Sequence, residues 1–482
     1  MKDATGALAF WNRYRELLGT DFEAFHTAQH EPLPKTLRVN TLKNSVSEFL
    51  KWAKSAHPDW ELTPHPFAQE LFSIDREKRN HPLGKSIGHI QGRFYIQEAS
   101  SVLPPLALNI TPGQRVLDIA SAPGSKTTQI AALLQGQGSL FANEFSGSRI
   151  KVLAANLHRC GVPNAILSHL SGERFGEKLP EYFDRILVDA PCTGEGTFRK
   201  DKDALENWSM RRILAAAKLQ KSLLSSAFRA LSPGGVVVYS TCTMAPEENE
   251  GVIRSLLLEY GDALELCDLS HLFPGASLAP GLSEFEAEVF SFAPKVLRVW
   301  PHLFNSEGFF VAALRKTKSL GKNSRFFFPK RTGKRTLQFL SKKHRQEVLD
   351  ALSSSFQFSL PESFSLAERN GSLWGIPQGT EEGILALSPD RPGILLGKIH
   401  QHELRIAHEF AIAFGAQFSG KQLYSCSAEE AIAFLEGKNL SSPDHLPEKA
   451  DILLFFEGIP LGLARRMENL LKNNLPRNFL AH

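Results

Sequence analysis

Five cysteines are spread through 482 residues, at positions 160, 192, 242, 267 and 426. No two form a CxxC pair, which excludes a zinc ribbon and a thioredoxin-like redox centre, and the odd count suits a reducing compartment. Two of them stand in company that suggests chemistry. Cys192 lies in Asp189-Ala-Pro-Cys192-Thr-Gly-Glu-Gly196, and Cys242 lies in Ser240-Thr-Cys242-Thr243. Each stretch follows an apolar, strand-like run. Taken alone, either cysteine is most simply a buried, inert thiol. Two at the carboxyl ends of parallel strands, beside a loop suited to a cofactor, point to covalent catalysis. A thiolate is a good nucleophile, but a free thiol ionises only near pH ~8.5, so the site must help it. One fitting reaction is methylation of cytosine. Its C5 is not nucleophilic until a thiolate adds at C6, after which C5 can attack an electrophilic methyl group. Asp189, beside the base, would hydrogen-bond the ring. The base must be single-stranded or flipped out, at a cost of about a few kcal/mol.

The cofactor loop is Asp118-Ile-Ala120-Ser121-Ala122-Pro123-Gly124-Ser125-Lys126-Thr. It follows an apolar run and opens a helical one, so backbone N–H groups at a helix start can approach a ligand closely. A phosphate-binding P-loop is excluded, because Ser125 replaces the glycine required before Lys126. Glu144 ends the next strand, twenty residues past Gly124. An acidic group there binds ribose hydroxyls in dinucleotide folds. That spacing fits any nucleoside cofactor, S-adenosylmethionine included; alone, Glu144 reads equally well as an exposed carboxylate. The sixteen histidines show no ligand spacing, and no metal is expected.

These loops need a scaffold. Strand-like runs at 116–120, 139–143, 165–167, 185–188 and 236–240 alternate with helical stretches at 127–134, 148–159 and 218–231. Late strands near 296–299 and 309–314 close the pattern. Alternation of this kind implies βαβ units and a mostly parallel, Rossmann-like α/β sheet over residues 106–316. Leu231 is followed by Ser-Pro-Gly-Gly, which reads as a helix stop and turn. Residues 1 to about 105 read as an α+β lead-in. Phe10, Tyr14, Leu17 and Leu18 share one helix face, 36–40 alternates like a strand, 48–56 is helical, and Pro58, Pro64 and Pro66 mark loops. Segment 315–345 holds twelve Lys/Arg, no Asp or Glu, and Phe326 to Phe328. It reads as a solvated basic linker or as a surface that tracks phosphates. The remainder has strand-like runs at 394–396 and 452–456, a helical stretch at 429–435, and a basic tail with Arg465, Arg466, Lys472 and Arg477.

Composition narrows the class. Hydrophobic residues make up 42% and charged residues 22%, which is ordinary for a globular chain, and the net charge is only +4. The first residues lack the apolar core of a signal peptide, and no apolar run reaches the ~18 residues of a membrane span. A soluble cytoplasmic protein without membrane association is therefore expected.

The motifs DIASAPGSKT, NEFSGSR, FDRILVDAPCTGEGTFRKD and VVVYSTCTMAPEENE resemble the Nol/Nop/Sun family of RNA cytosine-5 methyltransferases. KTLRVNTLK (35–43) and YIQEASS (95–101) are similar to its N-terminal motifs, so the resemblance covers residues 35–316 in order. The Pro-Cys-Gln loop of DNA cytosine-5 methyltransferases is absent. The C-terminal half, ending GIPLGLARR…LKNNLP, resembles the bacterial F-type branch, which modifies 16S ribosomal RNA and carries a PUA-like domain.

The resemblance implies a class I methyltransferase core at 106–316, after an N-terminal α+β domain at 1–105. A basic linker and middle domain at 317–385 and a PUA-like RNA-binding α+β/β domain at 386–482 would follow. It implies S-adenosylmethionine as cofactor and 16S rRNA or the small ribosomal subunit as partner; nothing in the sequence suggests an obligate oligomer, and a monomer is expected. It assigns Cys242 as nucleophile, Cys192 to product release, and Asp189 to the neighbourhood of cofactor and base. Ala120 to Lys126 would form the cofactor loop, with Lys126 facing the methionine carboxylate and Glu144 holding the ribose. One position departs from the family: Ser171 stands where an aspartate near the adenine is usual, with Glu173 close by to supply charge. An RNA-binding assembly factor with an idle core, and methyl transfer to DNA or protein, are the competing readings.

Overall fold

The computed structural model describes residues 4–76, 82–200, 203–321, 337–400 and 403–476. In the leading unit, helix Ala4–Leu18 buries Phe10 and Tyr14 among Phe25, Phe198 and Trp300. Strands β1 (Thr36–Val39), β2 (Trp60–His65), β3 (Ala68–Arg76) and β4 (Phe94–Ile96) then form an antiparallel sheet in the order β2-β3-β1-β4. A capping box starts helix Val46–Ala56: Ser45 Oγ accepts from the Glu48 N–H, and the Glu48 carboxylate accepts from the Ser45 N–H. Pro64, expected in a loop, lies inside β2. That strand is the sheet edge, where the missing N–H costs no ladder bond, and the register shifts between Pro64 and His65.

The central sheet is built from the alternating runs. β5 (Arg115–Asp118), β6 (Ser139–Asn143), β7 (Ala165–Ser168), β8 (Phe183–Asp189) and β9 (Leu231–Thr241) are parallel, in the order β7-β6-β5-β8-β9. Every residue of β6 and β7 is buried, as expected for strands covered on both faces. Helices Ser125–Leu133 and Arg149–Cys160 contribute to one core, and helices Met210–Ala230 and Glu250–Tyr260 to a second. Chain order reverses between β5 and β8, so a crevice opens at their carboxyl ends. The Ser-Pro-Gly-Gly stretch does end its helix, but no separate turn follows. β9 begins directly at Leu231, with Gly234 at φ +81°.

Antiparallel strands complete the sheet. β10 (Leu264–Cys267) pairs with the later β15 (Phe309–Lys316), which also pairs with β9; β11 (Ala279–Pro280) and β14 (Leu297–Val299) extend the edge. β12 (Glu284–Phe285) and β13 (Glu288–Val289) form a separate hairpin. The expected α/β doubly wound core is the observed one.

Beyond residue 337 lie two further sheets. The first runs in sequence order through β16 (Gln338–Phe339), β17 (Phe364–Arg369), β18 (Ser372–Pro377), β19 (Ile394–His400) and β20 (Glu403–Ile406). The second comprises β21 (Leu423–Ser425), β22 (Leu440–Ser441), β23 (Asp451–Phe456), β24 (Ile459–Met467) and β25 (Leu470–Asn473). A division at 385/386 falls inside helix Glu381–Leu387, and β18 and β19 on either side are neighbours in one sheet. The sheets part between β20 and β21. A division at 105/106 falls likewise inside helix Leu103–Ala107.

Both sheets dock. Trp374, Ile384 and Leu387 join the core under the central sheet, and Arg391 bridges Leu167 on its edge strand β7 through two backbone hydrogen bonds. The last sheet reaches the first: Trp52 Nε1 donates to Glu457 Oε2 at 2.6 Å, and Gln91 Nε2 donates to Phe456 O at 2.9 Å.

The basic segment is partly structural. Lys316 is buried in β15, ion-paired to Glu181 at 3.0 Å and donating to Leu231 O at 2.8 Å, so it cannot track phosphates. In the tail, Arg465 pairs with Asp451 at 3.0 Å and Arg466 is buried. Phe326 to Phe328 and Arg477 lie outside the described residues. Among the described residues no helix is long and apolar enough to cross a membrane.

Candidate active site

Because β8 and β9 are parallel neighbours, with Asp189 in register with Ser240, the loops that follow them emerge side by side. Cys192 Sγ and Cys242 Sγ meet at 3.2 Å. The hydrogen bond to Cys242, together with burial, pushes the Cys192 thiol well above its usual range. The protonated form of Cys192 is therefore favoured, with its sulfur within hydrogen-bond distance of the Cys242 sulfur. Gly196 lets the loops close. Its N–H donates to Cys242 O at 2.8 Å, and an added Cβ would lie 2.1 Å from Gly308 O.

Asp189 sits at the junction of loop and sheet. Its Oδ1 accepts from Ser240 Oγ at 2.8 Å and its Oδ2 from Lys126 Nζ at 2.8 Å. Burial opposes the Lys126 charge, but the Asp189 carboxylate outweighs it and holds the ammonium above its usual range. The ammonium also lies 5.2 Å from the centre of the Phe309 ring. Lys126 thus joins the 118–126 loop to the cysteine loops.

The loop expected to hold the cofactor leaves β5 at Asp118. Burial pushes that carboxyl up to about 7, against a 2.7 Å hydrogen bond to Oδ2 from Thr127 Oγ1. Its Oδ1 has no hydrogen-bond partner. Ser121 N–H donates to Asn143 O at 2.8 Å, tying the loop to β6, and Arg149 donates to Ala122 O. Asn156 Nδ2 donates to Pro123 O at 2.8 Å. Gly124, at φ +111°, turns the chain into helix Ser125–Leu133.

Glu144 is buried at the end of β6. Oε1 accepts from Ser146 N–H at 2.8 Å, whereas Oε2 accepts no hydrogen bond and lies 3.5 Å from Arg149 Nη1. The next residue, Phe145, is 73% exposed. Ser171, beyond β7, donates to Glu173 Oε2 at 3.2 Å, and Ser222 Oγ donates to Glu173 Oε1 at 2.6 Å.

Two buried carboxylates behind the cysteines were not singled out in sequence. Glu248 Oε2 accepts from Thr193 N–H at 3.1 Å and from Gln220 Nε2 at 2.7 Å, and burial pushes its carboxyl up to about 7. Glu195 accepts from Tyr14 Oη at 2.6 Å and from Trp208 Nε1 at 2.5 Å. A repeated Cys-Thr dipeptide, 192–193 and 242–243, was the available signal.

Residues 105–315 match the family described as 16S rRNA methyltransferase RsmB/F. Residues 7–99 match the N-terminal domain of 16S rRNA methyltransferase RsmF, and 421–480 match its PUA domain. The chain is 43% identical to a ribosomal RNA small subunit methyltransferase F from Cronobacter sakazakii, across 98% of this chain and 96% of that one. The chain belongs to the RsmB/F methyltransferase family. The corresponding protein of Serratia proteamaculans is 42% identical over the same shares. A solved methyltransferase homologue from Pyrococcus horikoshii is 36% identical, with a TM-score of 0.56 over 63% of this chain and 93% of that one. The nine-stranded sheet is thus a methyltransferase core, and the sheet from β21 to β25 is a PUA domain.

In this methyltransferase, Gly196→Ala is expected to cost about 1–3 kcal/mol of stability through overpacking. It should also slow methyl transfer roughly tenfold, the equivalent of ~1.4 kcal/mol. Chemical denaturation and a single-turnover assay check the two effects separately.

Proposed function

We propose that the protein transfers a methyl group from S-adenosylmethionine to C5 of a cytidine in 16S ribosomal RNA, through a transient bond between Cys242 and C6. The contact between the two thiols at the crevice edge carries this reading. The curated relatives are named for the small-subunit ribosomal RNA, and the C-terminal sheet matches a PUA domain, which supports the RNA partner.

The neighbouring loop suits the cofactor. Glu144 Oε2 and Asp118 Oδ1 are buried acceptors without hydrogen bonds, ready for ribose hydroxyls and a cationic centre. Exposed Phe145 offers an apolar face beside them. Ala120, Ser121, Ala122, Pro123, Gly124, Ser125, Lys126, Glu144, Ser171 and Asp189 would hold the cofactor, with Glu173 supplying the charge Ser171 lacks. When bound, S-adenosylmethionine supplies an electrophilic methyl group.

The chain's own residues do the rest. Cys242 adds to C6, and the electron pair displaced to C5 forms the C5–methyl bond. Asp189, held by Lys126 and Ser240, orients the ring. Once Cys242 is bonded to carbon, its sulfur no longer holds the Cys192 proton in place. Cys192 can then ionise, giving that proton to solvent, and remove the C5 proton as the Cys242–C6 bond breaks. The thiol–thiolate pair is restored, and one proton is released per methyl transferred.

The test is transfer of labelled methyl to naked 16S rRNA and to small subunits, followed by nucleoside digestion. Labelled 5-methylcytidine is the expected product. Label in another nucleoside, or cofactor binding without transfer to either substrate, would overturn the reading.

A further inference from the structure

The two Cys-Thr dipeptides touch twice, through their sulfurs and again through their hydroxyls. Thr193 Oγ1 and Thr243 Oγ1 lie 3.2 Å apart. Each hydroxyl also reaches a fully buried carboxyl group: Thr193 Oγ1 bonds Glu248 Oε1, and Thr243 Oγ1 lies 3.0 Å from Glu195 Oε2. The result is a chain of four oxygens, Glu248–Thr193–Thr243–Glu195, joined by three contacts. Two threonines bring only two hydroxyl protons. Three hydrogen bonds therefore need a third proton, on one of the two carboxyls.

The neighbours decide which one. Glu195 is already the acceptor for two strong donors, Tyr14 Oη and Trp208 Nε1. Glu248 is different. Its Oε2 takes both N–H donors, from Thr193 and Gln220, and its Oε1 meets only the Thr193 hydroxyl. An O–H at Oε1 fits that position. The charges around the chain differ at its two ends: Arg13 acts on Glu195 and favours its ionised form, whereas Glu195 disfavours the Glu248 charge, and Glu248 in turn raises Cys192 and Tyr239.

We propose that Glu248 is a positioning residue that carries a proton, and that this proton completes a hydroxyl bridge holding the Cys192 loop against the Cys242 loop. The proposal rests on the two-cysteine reaction above and adds a requirement to its last step. Cys192 can reach the C5 proton only while its loop is clamped. The bridge therefore governs release of the product rather than attack by Cys242, which lies one residue past β9 and has its carbonyl held by the Gly196 N–H without the bridge.

The test measures formation and breakdown of the covalent enzyme–RNA adduct in single-turnover experiments with 16S rRNA and S-adenosylmethionine. Thr193→Val keeps the shape but loses the hydroxyl, so breakdown should slow roughly tenfold while formation changes little. Thr193→Ser should restore breakdown. Glu248→Gln places an N–H where the carboxyl proton sits and cannot lose it. The ratio of Glu248→Gln to wild-type breakdown rates should therefore rise as pH increases through about 7, where ionisation opens the wild-type bridge. Three outcomes would overturn the proposal: breakdown unaffected by Thr193→Val, formation and breakdown slowed alike, or a ratio that does not change with pH. If Cys192→Ala accumulates no adduct although 5-methylcytidine forms in the wild type, the covalent reaction itself fails, and the bridge fails with it.

Discussion

Cys192→Ala, incubated with 16S rRNA and S-adenosylmethionine, accumulates a protein–RNA adduct that survives denaturing electrophoresis; Cys242→Ala forms none and makes no 5-methylcytidine. The asymmetry follows from the site. Burial and the contact with Cys242 favour the protonated form of Cys192, and the proposed reaction accordingly gives the attack to Cys242. In the proposed reaction, removing Cys192 leaves addition and methyl transfer possible but takes away the base for the C5 proton. Loss of a positioned general base slows a step by about 10²–10⁴-fold, enough to make breakdown of the adduct rate-limiting. An adduct with Cys242→Ala and none with Cys192→Ala would exchange the two roles.

The second large effect concerns stability. Arg298 on β14 grips Glu250 with two bonds, Nε to Oε1 at 2.8 Å and Nη2 to Oε2 at 2.5 Å, and donates to Met244 O at 2.8 Å. Both side chains are buried. Arg298→Met would strand the Glu250 carboxylate, with only the Leu282 N–H left as a donor at 2.9 Å. Breaking a buried pair in this way costs about 3–5 kcal/mol. Replacing both partners, Arg298→Met with Glu250→Leu, should recover much of that loss, because no uncompensated charge remains. Denaturant melts of the single and double variants check this. A single variant as stable as wild type would show that the carboxylate finds water or another donor. Met244 lies two residues past Cys242, so the single variant should also slow methyl transfer.

The scaffold was legible because its signals are local. The apolar runs read at 139–143 and 165–167 fall in strands whose residues are all buried, and Gly124 needs the backbone freedom its residue type allows. The placing of Cys192 and Cys242 at one rim of the sheet was legible too, but the adjacency of β8 and β9 that brings the sulfurs into contact was not. What escaped depends on contacts across long separations. Glu248 and Glu195 look like ordinary acidic residues until Thr193, Thr243 and Tyr14 are brought to them. Lys316 looked like part of a solvated basic run because its partner, Glu181, is 135 residues earlier in the sequence. Pro64 misled because its residue type does not reveal that β2 is an edge strand.

The contact between the first and last sheets has a consequence for biosynthesis. Trp52 waits for Glu457, 405 residues later in the chain. At about 5–20 residues per second, that interval is roughly 20–80 s of translation. Throughout it, the surface around Trp52, Ile87 and Ile90, which the last sheet covers in the finished molecule, has no partner. The methyltransferase core is complete by then, so the nascent chain carries an assembled catalytic centre and an uncovered apolar face together.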